Sequence, residues 1–545
     1  MEKAKIKAVL CHSYQIPIPS FYQTKKITSN YVSDGLENEI DSWSPPYPVL
    51  IDAPTGLGKN TFILKECIPR AYQAGKNILI ISNRVALSSQ QKIIILKSIN
   101  SIELERLTPK GICEQEDFGN IKIITYHRLK TFFSDEENDK WRRNLQYVIL
   151  DEAHFFVADS LFNEWCGYYL DQIVRKFSNA IRIYMTATSW DVLYPIAEAE
   201  KHEYFEVVKP PYFRPPRYCM RYYFQRTFEN YKLNFISDIS ELSSLIENSG
   251  EAKWLVFIDN KEKGKKFVKA LNAKCDYLDS NYKNGALWNQ IVNQSSFNAK
   301  VLVTTSVLDN GINIVDKKLT NIVVFTDSRT SLIQMLGRKR YDSADKINVW
   351  VCDITYEKAQ KNFKEYKNLY SWFESFDNCH YEYERNALAS QIWSSDNPQL
   401  RKLFRISGGK LLENKMARLH IMQKLDFYKN IVERKTTFQN CVKEWLNKPL
   451  VLPHRYFDKL NCFCDEHLGI HLSESECEEL RFLVVKSYEE AGNKELQKSR
   501  LNELKPRALN TRIKALGLNY KIDYIKQVWV LSKYDTEDSY DLSNI

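Results

Sequence analysis

Short apolar runs alternate with longer amphipathic stretches along the first part of the chain, and this pattern constrains the fold more than any other feature. The runs are rich in Ile and Val, and they lie at residues 48–52, 77–82, 121–125, 147–150 and 181–185. Runs of this length, each followed by a helical pattern, are typical of buried parallel strands in βα units. The sequence therefore predicts an α/β domain over residues 31–208, preceded by an N-terminal extension at residues 1–30.

A second alternation of the same kind follows a proline-rich segment at residues 209–217, which is predicted to be a linker. Its apolar runs lie at residues 254–258, 300–304, 321–325 and 348–352, and they predict a second α/β domain over residues 218–373. Beyond that point the strand pattern fades, so residues 374–545 are predicted to form a mostly helical accessory domain. A chain of 545 residues exceeds what one hydrophobic core usually supports, which agrees with several domains.

Charge and composition narrow the class of protein. The chain carries 77 Lys and Arg against 68 Asp and Glu, and the net charge of +9 is compatible with a polyanionic partner. Neither a signal-peptide pattern nor an apolar run of about 18 residues occurs in the sequence. The 12 cysteines are spread thinly. We therefore expect a soluble, cytoplasmic protein with reduced thiols and no membrane partner.

A glycine-containing loop directly follows the predicted strand at residues 49–52. It comprises Ala53, Pro54, Thr55, Gly56, Leu57, Gly58, Lys59, Asn60 and Thr61, and a helical pattern follows. Glycine lets successive backbone N–H groups face a phosphate, the helix N-terminus adds partial positive charge, and Lys59 adds a full charge. Strand, loop and helix in this order predict a phosphate-binding loop, and a plain glycine turn is the alternative.

Asn60 stands where such a loop normally has Ser or Thr as a magnesium ligand. An amide oxygen is a hard neutral donor that binds Mg²⁺, and Thr61 offers a hydroxyl one residue further along. We therefore expect Asn60 or Thr61 to contribute to an Mg²⁺ site.

Two adjacent carboxylates, Asp151 and Glu152, follow the apolar run at residues 147–150. A strand that ends in carboxylates places them at the carboxyl edge of the sheet, where open α/β sheets bind ligands. Asp151 is expected to hold Mg²⁺, and Glu152 to orient and deprotonate the attacking water. An acidic turn at the end of a strand is the alternative, but the phosphate loop upstream favours the catalytic interpretation.

These features belong to an ordered series of segments that extends to about residue 356. The series comprises residues 53–61, 82–87, 125–129, 151–154 (Asp-Glu-Ala-His), 186–188 (Thr-Ala-Thr), 256–258, 304–313 and 334–340. In order and in residues it resembles the motifs of the superfamily 2 helicases of DEAD/DEAH type. The resemblance covers about the first two-thirds of the chain. It implies the α/β class, with two RecA-like parallel-sheet domains in tandem that hydrolyse an NTP.

The resemblance implies roles for further side chains. Gln334 is expected to position the attacking water, and Arg338 and Arg340 to act as arginine fingers on the phosphates. The family usually spaces its second arginine three residues beyond the first, whereas Arg340 follows Arg338 after one residue. Residues expected to couple hydrolysis to strand movement are His154, Thr186 and Thr188. Residues of the second domain expected to contact the nucleotide are Gly311 and Asn313.

The same resemblance implies a track for single-stranded nucleic acid. Its candidates carry hydroxyl, amide, imidazole and guanidinium groups, which suit phosphate and sugar oxygens and give salt-sensitive, sequence-independent binding. They are Arg84, Thr125, His127 and Arg128 in the first domain and Thr304, Thr305 and Asn310 in the second. Each residue alone is also explained as an ordinary polar group at a loop or helix end, so the prediction rests on the whole series.

The end of the chain combines basic residues with a helix and hairpin pattern. Helices are predicted at residues 495–504 and 506–516, and a strand pair at residues 520–522 and 527–531. This is the outline of a winged helix-turn-helix, and a plain helical cap is the alternative. The accessory domain is expected to guide the strand or to recruit protein partners.

The sequence therefore predicts an NTP-dependent helicase or translocase that acts on single-stranded DNA or RNA, with DNA slightly favoured. Its cofactors are ATP, or another NTP, and Mg²⁺; no adenine-reading phenylalanine and glutamine pair precedes the loop. One alternative, suggested by Asn60 and Arg340, is a clamp that uses NTP as a switch and hydrolyses it weakly. The other is a replication initiator of a virus or mobile element, with a C-terminal domain that reads duplex DNA.

Overall fold

A computed structural model of the chain describes residues 18–83, 92, 95, 111, 115–207, 218–258, 260–271, 273–279, 285–305, 308, 313–340, 345–448, 455–490, 504–525 and 528–533. The predicted linker and residues 495–503 of the helix predicted at residues 495–504 lie outside these residues. So do three site candidates, Arg84, Asn310 and Gly311.

The chain divides into two compact units. The first comprises Met1–Asn234, Leu242–Val351 and Leu369–Gln423, and the second comprises Phe235–Glu241, Cys352–Asn368 and Lys424–Ile545. The phosphate loop, the acidic box and the arginine segment at residues 334–340 all belong to the first unit. Within the described residues, no helix is long and apolar enough to cross a lipid bilayer.

An eight-stranded sheet forms the first part of this unit. Its strands are β1 (Tyr22–Ile27), β2 (Val49–Asp52), β3 (Asn77–Ser82), β4 (Asp117–Phe118), β5 (Ile121–Thr125), β6 (Leu145–Asp151), β7 (Ile181–Thr186) and β8 (Cys219–Phe224). They lie in the order β1-β8-β2-β7-β6-β3-β5-β4. The pairing of β4 with β5 is antiparallel, whereas the pairings that involve β1, β2, β3, β6, β7 and β8 are parallel.

Both faces of this sheet are buried, because alternate residues of each strand enter separate hydrophobic cores. In β3, Leu79 and Ile81 enter one core, and Ile78 and Ile80 enter the other. This explains why the central strands read as continuous apolar runs in the sequence. Helices and helical turns connect the strands; they are α1 (Val32–Leu36), α2 (Lys59–Phe62), a π-helical turn (Ile63–Cys67), α3 (Ile68–Gln73), α4 (Leu129–Ser134), α5 (Glu136–Arg142), α6 (Phe155–Ala158), α7 (Cys166–Lys176) and α8 (Leu193–Val207).

The first sheet extends beyond the residues predicted for the first domain. Its outer strand β1 comes from the predicted N-terminal extension, and β8 comes from the predicted second domain. Strand β1 has the burial pattern of an edge strand, with a run of exposed residues between Tyr22 and Ile27, so it lacks an apolar signature. The structure thus places the change from one sheet to the other after β8.

A six-stranded sheet follows. Its strands are β9 (Tyr231–Ile236), β10 (Lys253–Ile258), β11 (Cys275–Leu278), β12 (Val301–Thr304), β13 (Leu319–Phe325) and β14 (Ile347–Cys352), in the order β11-β12-β10-β13-β14-β9. The pairings of β10 with β12 and β13, of β11 with β12 and of β13 with β14 are parallel. The helices here are α9 (Glu241–Glu247), α10 (Lys261–Ala270), α11 (Ala286–Gln294) and α12 (Arg329–Leu336).

The rest of the chain is mostly helical, as predicted. Its helices are α13 (Tyr356–Asn378), α14 (Glu382–Ser394), α15 (Leu400–Leu403), α16 (Lys415–Val432), α17 (Phe438–Trp445), α18 (Arg455–Glu466), α19 (Glu474–Glu490) and α20 (Pro506–Ala515). Strands β15 (Phe404–Ser407) and β16 (Lys410–Glu413) form a hairpin. Strands β17 (His471–Leu472), β18 (Tyr520–Ile525) and β19 (Val528–Lys533) form a three-stranded sheet in the order β17-β19-β18.

Candidate active site

The phosphate loop lies at the carboxyl edge of the first sheet, between β2 and α2. Gly56 and Gly58 have φ of 95° and 77°, a conformation that side-chain-bearing residues rarely adopt. Gly58 directly precedes the first residue of α2, Lys59, so the loop turns straight into a helix N-terminus. The amide of Val32 donates to Leu57 O at 2.9 Å and ties α1 to the loop. The partly exposed ring of Tyr31 lies beside Gly58.

Lys59 is drawn into the loop. Its ammonium donates to the carbonyls of Ala53 at 2.9 Å and Pro54 at 3.3 Å. Burial lowers the pKa of Lys59, the carboxylates Glu152 and Asp151 act in the opposite direction, and Arg340 and Arg226 lower it further. Positive charges therefore converge on the loop from several segments, as the binding of a polyphosphate requires. Of the two candidate magnesium donors that follow, Asn60 is half-buried and Thr61 is exposed.

The acidic box lies two strands away from the loop in the same sheet. Strand β7 pairs on one side with β2, aligning Asp52 with Thr186, and on the other with β6, aligning Asp151 with Met185. The carboxyl ends of the three strands therefore meet at one edge. Asp151 ends β6, its backbone carbonyl accepts from Tyr126 Oη at 3.0 Å, and its carboxylate accepts from the Glu152 amide at 3.0 Å.

Glu152 adopts a left-handed backbone conformation with φ of 52°. Such a conformation is unfavourable for a residue with a side chain, and it is found where the surroundings impose it, often at active sites. The turn aims the buried Glu152 carboxylate at His154, whose Nδ1 lies 3.4 Å from Oε2. The same nitrogen lies 3.3 Å from Thr186 Oγ1, which is also 3.3 Å from Thr188 Oγ1. A chain of polar contacts thus links the acidic box to residues 186–188.

This chain of contacts fixes the ionisation of its members. Burial opposes the charge on Glu152, but the hydrogen bond and charge of His154, together with Lys59 and Arg338, lower its pKa to about 2. Burial likewise opposes the charge on His154, but its hydrogen bond to Glu152, together with the charges of Glu152, Asp159 and Asp191, raises the pKa above its usual value. Glu152 is therefore a carboxylate throughout the physiological pH range.

The second sheet contributes α12 and the segment after it. Gln334 is buried in α12 and donates from Nε2 to Glu152 Oε2 at 3.4 Å. Arg338 is also buried; its Nε donates to Gln334 O at 2.9 Å, and its Nη2 donates to Gln334 Oε1 at 3.3 Å. The two sheets therefore meet at Glu152, the residue predicted to act on water.

Arg340 approaches the phosphate loop itself. A Cβ built on Gly56 would overlap the guanidinium of Arg340, and one built on Gly337 would overlap the side chain of Thr55. Lys339 forms a β-bridge with Ile314, which places the predicted nucleotide contact Asn313 next to this segment. Glycine at positions 56 and 337 is therefore what allows the two sheets to approach this closely.

The structure reveals a buried ionic cluster at the base of the loop that the sequence did not predict. Asp52, the last residue of β2, pairs with Arg221 and Arg226 and accepts from Ser189 Oγ at 2.6 Å. Burial opposes its charge, but the two arginines and Ser189 lower the pKa of Asp52. Arg226 also donates from Nε to Ala187 O at 3.1 Å. The only sequence signal was a carboxylate that ends an apolar run directly before the loop.

Trp190 joins the first sheet to α12. Its Nε1 donates to Thr330 Oγ1 at 3.0 Å, and the guanidinium carbon of Arg329 lies 4.0 Å from the centre of its ring. Thr330 also donates to Asp191. Because Trp190 follows Thr188 by two residues, these contacts extend the polar chain from Glu152 toward the helix that carries Gln334.

The candidate residues for a nucleic-acid track differ in how far they are exposed to solvent. His127 and Arg128 are exposed, and Arg128 forms an ion pair with Glu116 at 2.8 Å. Thr125 is half-buried at the end of β5. Thr304 is fully buried and donates to Thr305 O at 3.1 Å, and Thr305 is buried as well. The position of Thr304 does not favour the predicted contact, because a buried hydroxyl bonded to the carbonyl of the next residue is not presented to a nucleic-acid strand.

A magnesium ion fits the donors at this edge. Among the described residues, no group of three or more His, Cys, Asp or Glu side chains could hold a metal by itself. Mg²⁺ commonly binds through one or two carboxylates, with phosphate oxygens and water completing its shell. Asp151 beside a phosphate loop supplies that kind of set, with Asn60 or Thr61 near the start of α2.

A phosphate loop and an acidic box on one parallel sheet, faced by glutamine and arginines from a second, define the class of tandem RecA-like nucleotide-binding proteins. Two family comparisons agree with this class. Residues 23–190 match the family described as "Type III restriction enzyme, res subunit", and residues 237–340 match the "Helicase conserved C-terminal domain". The two matched domains indicate a superfamily 2 helicase, as the resemblance predicted, and the two parallel sheets in tandem agree with the predicted fold class.

Individual relatives are distant. "Putative helicase 22" of Sulfolobus islandicus filamentous virus is 23% identical over 372 residues, which cover 58% of this chain and 63% of the relative. The chain thus spans less than two-thirds of that relative's length. S. cerevisiae Dbp5 bound to RNA and ADP BeF3 is similar over 56% of this chain and 79% of its own, with 15% identity and a TM-score of 0.39. The DUF1998 helicase MrfA bound to DNA is similar over 70% and 56%, with 12% identity and a TM-score of 0.44.

Proposed function

We propose that this chain is an NTP-dependent helicase or translocase that hydrolyses ATP, or another NTP, with Mg²⁺ and moves along single-stranded nucleic acid. One observation carries the proposal. The buried Glu152 carboxylate accepts from Gln334 of the second sheet at 3.4 Å while its charge acts on Lys59 of the phosphate loop. A site assembled from two sheets allows hydrolysis to change how they are held together, which is what movement along a strand requires.

The proposed roles follow from charge and position. Lys59 and the backbone N–H groups of the loop bind the phosphates, and Arg338 and Arg340 neutralise the charge that develops during transfer. Although burial opposes its charge, His154, Lys59 and Arg338 hold the pKa of Glu152 below its usual range, which makes it a weak base, so its main task is to orient the attacking water as a hydrogen-bond acceptor. Gln334, held by Arg338, positions that water from the other side.

Asp151 and either Asn60 or Thr61 would hold Mg²⁺. The ion, when bound, supplies positive charge to the β- and γ-phosphate oxygens. The amide at position 60 is a neutral donor like the usual hydroxyl, so the substitution leaves the charge of the site unchanged.

The base of the nucleotide has a candidate neighbour in Tyr31, which is 56% exposed and lies beside Gly58. A stacking ring accepts any base, because every base has a π-face. We therefore propose that the protein accepts other NTPs besides ATP.

The test is NTP hydrolysis by the full chain with and without single-stranded DNA or RNA oligonucleotides. We expect the strands to stimulate phosphate release by the wild type and Lys59→Ala to abolish the stimulated rate. Lys65→Ala, an exposed lysine on the helical segment after the loop, is the matched control and retains the rate. Stimulation that survives Lys59→Ala contradicts the proposal, as does a wild type that neither DNA nor RNA stimulates.

A weakly hydrolysing clamp is the second candidate, and Asn60 is the observation that favours it. Tight NTP binding with negligible turnover, even with a strand present, would establish the clamp. The position of Arg340 argues for hydrolysis instead, since its guanidinium lies against Gly56 in spite of its unusual spacing.

A further inference from the structure

The last part of the second unit folds around its own small core. Helix α18, strand β17, helix α19, helix α20 and the β18–β19 hairpin follow one another along the chain, and β19 lies between β17 and β18 in the sheet. The core includes Leu460 of α18, Leu480 of α19, Leu509 and Ile513 of α20 and Leu531 of β19. Helices followed by a hairpin on a three-stranded sheet form the arrangement of a winged helix.

Helix α20 separates its side chains into two stripes. Leu509, Ile513 and the following Leu516 are buried at a spacing of four and then three residues. Arg507, Thr511 and Lys514 repeat the same spacing and are exposed. Residues spaced in this way lie on one face of a helix, so α20 turns a basic and hydroxyl-bearing face to solvent.

The basic residues of this region differ in what they contact. The Arg481 guanidinium lies 4.4 Å from the centre of the Trp529 ring, and Arg512 donates to Ala508 O at 2.8 Å. These two arginines are held by the fold. By contrast, no ion pair or hydrogen bond of the Arg507 guanidinium or the Lys514 ammonium is seen among residues 455–490, 504–525 and 528–533. Cations that are exposed and lack a protein partner are available to an external anion.

A cleft of about 410 Å³ lies between the exposed face of α20 and strand β18. Arg507, Thr511 and Lys514 line the helix side. Tyr524, which is 64% exposed, lines the strand side together with Asp523, whose carboxylate accepts from Ser532 Oγ at 2.5 Å. Asn510 fixes the two sides relative to each other, since its amide donates to Ile522 O at 2.9 Å and accepts from Ile522 N at 2.7 Å. The cleft therefore has positive charge on its helix side, one carboxylate on its strand side, and a direct hydrogen-bonded connection between the two.

We propose that α20 and this cleft bind duplex DNA, with the helix face in the major groove and the hairpin against the adjacent backbone. The major groove of B-form DNA is about 12 Å wide and admits a helix. The major groove of an RNA duplex is too deep and narrow to be read in this way. Arginine, lysine and threonine side chains donate to phosphates and to base edges.

None of the residues of this cleft belongs to the first unit, which contains the candidate nucleotide site. Duplex binding is therefore expected without NTP and in the Lys59→Ala variant. It goes beyond the proposed function, which concerns a single strand and requires NTP. Failure of one does not imply failure of the other.

The experiment measures the binding of a labelled blunt DNA duplex of about two helical turns to the full chain, without NTP, by fluorescence anisotropy. An RNA duplex of the same sequence is measured alongside. We expect Arg507→Glu with Lys514→Glu to weaken DNA duplex binding by at least about tenfold, since two cations become anions at the groove. Arg507→Gln with Lys514→Gln gives a smaller loss in the same direction. Strand-stimulated hydrolysis is retained in both double variants.

Lys364→Glu, an exposed lysine on α13, is the matched control for charge reversal and leaves duplex affinity unchanged. Unaltered DNA duplex affinity in the doubly reversed variant would overturn the proposal. Equal binding of the RNA duplex, with an equal loss in that variant, would overturn it too. That result would show a surface that attracts any polyanion.

Discussion

At the scale of single residues, the spacing of the two arginines is explained by the backbone between them. Helix α12 ends at Leu336, and Lys339 lies in an extended β-bridge with Ile314. In an extended chain alternate side chains point the same way, so two residues of spacing bring Arg338 and Arg340 to one side. Lys339 points away and donates to Asp316 O at 2.7 Å. The sequence showed the irregular spacing, but only the backbone conformation shows that Arg340 still reaches the loop.

Arg340→Ala is expected to lower the stimulated rate of hydrolysis by about 10³-fold, the lower end of the range for an arginine finger. NTP binding is expected to weaken much less, because Lys59 and the loop remain. The comparison is with Lys317→Ala, which removes an exposed lysine of the same region. The measurement is steady-state kcat and the KM for NTP at a saturating concentration of single-stranded nucleic acid. A kcat close to that of Lys317→Ala would show that Arg340 is not part of the site.

Glu152 and His154 make stability depend on pH. The pKa of His154 is raised above 6.5, so its contribution is complete below that pH and is lost as the pH rises through the raised value. The pKa of Glu152 is lowered from 4.5 to about 2, so its contribution is complete above pH 4.5 and is lost as the pH falls toward 2. The pair therefore stabilises the fold most between these two limits.

His154→Gln is expected to remove the alkaline part of this dependence. Urea unfolding of the wild type and the variant, measured from about pH 5.5 to about pH 8.5, reports it directly. We expect the difference in the free energy of unfolding between the two proteins to shrink as the pH rises. Parallel profiles over this range would show that Glu152 and His154 do not form a pair.

At the scale of secondary-structure elements, the central strands of the first sheet were predictable, whereas its edge strand β1 and the neighbouring strand β8 were not. Predicted runs at residues 77–82 and 121–125 coincide with β3 and β5, since both faces of these strands are buried. Strands β1 and β8 escaped prediction for different reasons. Residues of β1 are mostly exposed, whereas β8 carries Arg221, which the buried Asp52 neutralises. Each of these two strands is held in the sheet by a partner that is distant in sequence, and a local sequence pattern does not reveal such a partner.

The contact of α12 with the turn that follows β7 is expected to transmit the binding of single-stranded nucleic acid to the active site. Trp190→Ala removes the hydrogen bond to Thr330 and the stacking of Arg329. We expect a drop of about tenfold in strand-stimulated kcat, with little change in the KM for NTP, because α12 positions Gln334 but does not bind the loop. Trp190→Phe keeps the ring and is expected to fall between the wild type and the alanine variant.

Tyr72→Ala, which truncates a ring that is 75% exposed on α3, is the control for loss of an aromatic side chain. A purely structural role for Trp190 would lower the melting temperature and leave the kcat of the folded fraction intact. That outcome would contradict a positioning role.

Strand β7 also holds a buried ion pair that stabilises the first sheet. Arg182 and Glu200 are both fully buried and are 2.7 Å apart, and Tyr184 donates to the same carboxylate at 2.8 Å. Arg182→Ala leaves the Glu200 charge buried without its partner, and we expect it to cost about 3–5 kcal/mol of stability. Arg175→Ala on the exposed side of α7 is expected to cost about 0.5 kcal/mol or less. Urea unfolding distinguishes the two, and equal stabilities would refute the account.

At the scale of the whole molecule, the ordered motifs predicted two parallel sheets and predicted that residues of both sheets contribute to one nucleotide site. Lys59 and Glu152 were proposed for the site because each follows an apolar strand, and Gln334 because it precedes the arginines in the expected order. The structure brings Gln334 into contact with Glu152, and the roles of all three residues are still predictions. The cluster of Asp52, Arg221 and Arg226 was not identifiable, since its members are far apart in sequence and carry no motif of their own. The same holds for Trp190, whose partner lies on the other sheet.

The function of the accessory region was the least predictable, because basic helices are usual on solvated surfaces. The hypothesis of a replication initiator that reads a duplex stays a prediction. It gains support only if α20 binds duplex DNA through Arg507 and Lys514.

The central claim is that one NTP site is assembled from two sheets, with Glu152 on one and Arg338 on the other. Single-turnover phosphate release from prebound NTP tests it most directly, measured with saturating single strand in Glu152→Gln and Arg338→Ala. We predict that both variants bind NTP and that each releases phosphate at least about 10³-fold more slowly than the wild type. Release at the wild-type rate in either variant would contradict the account.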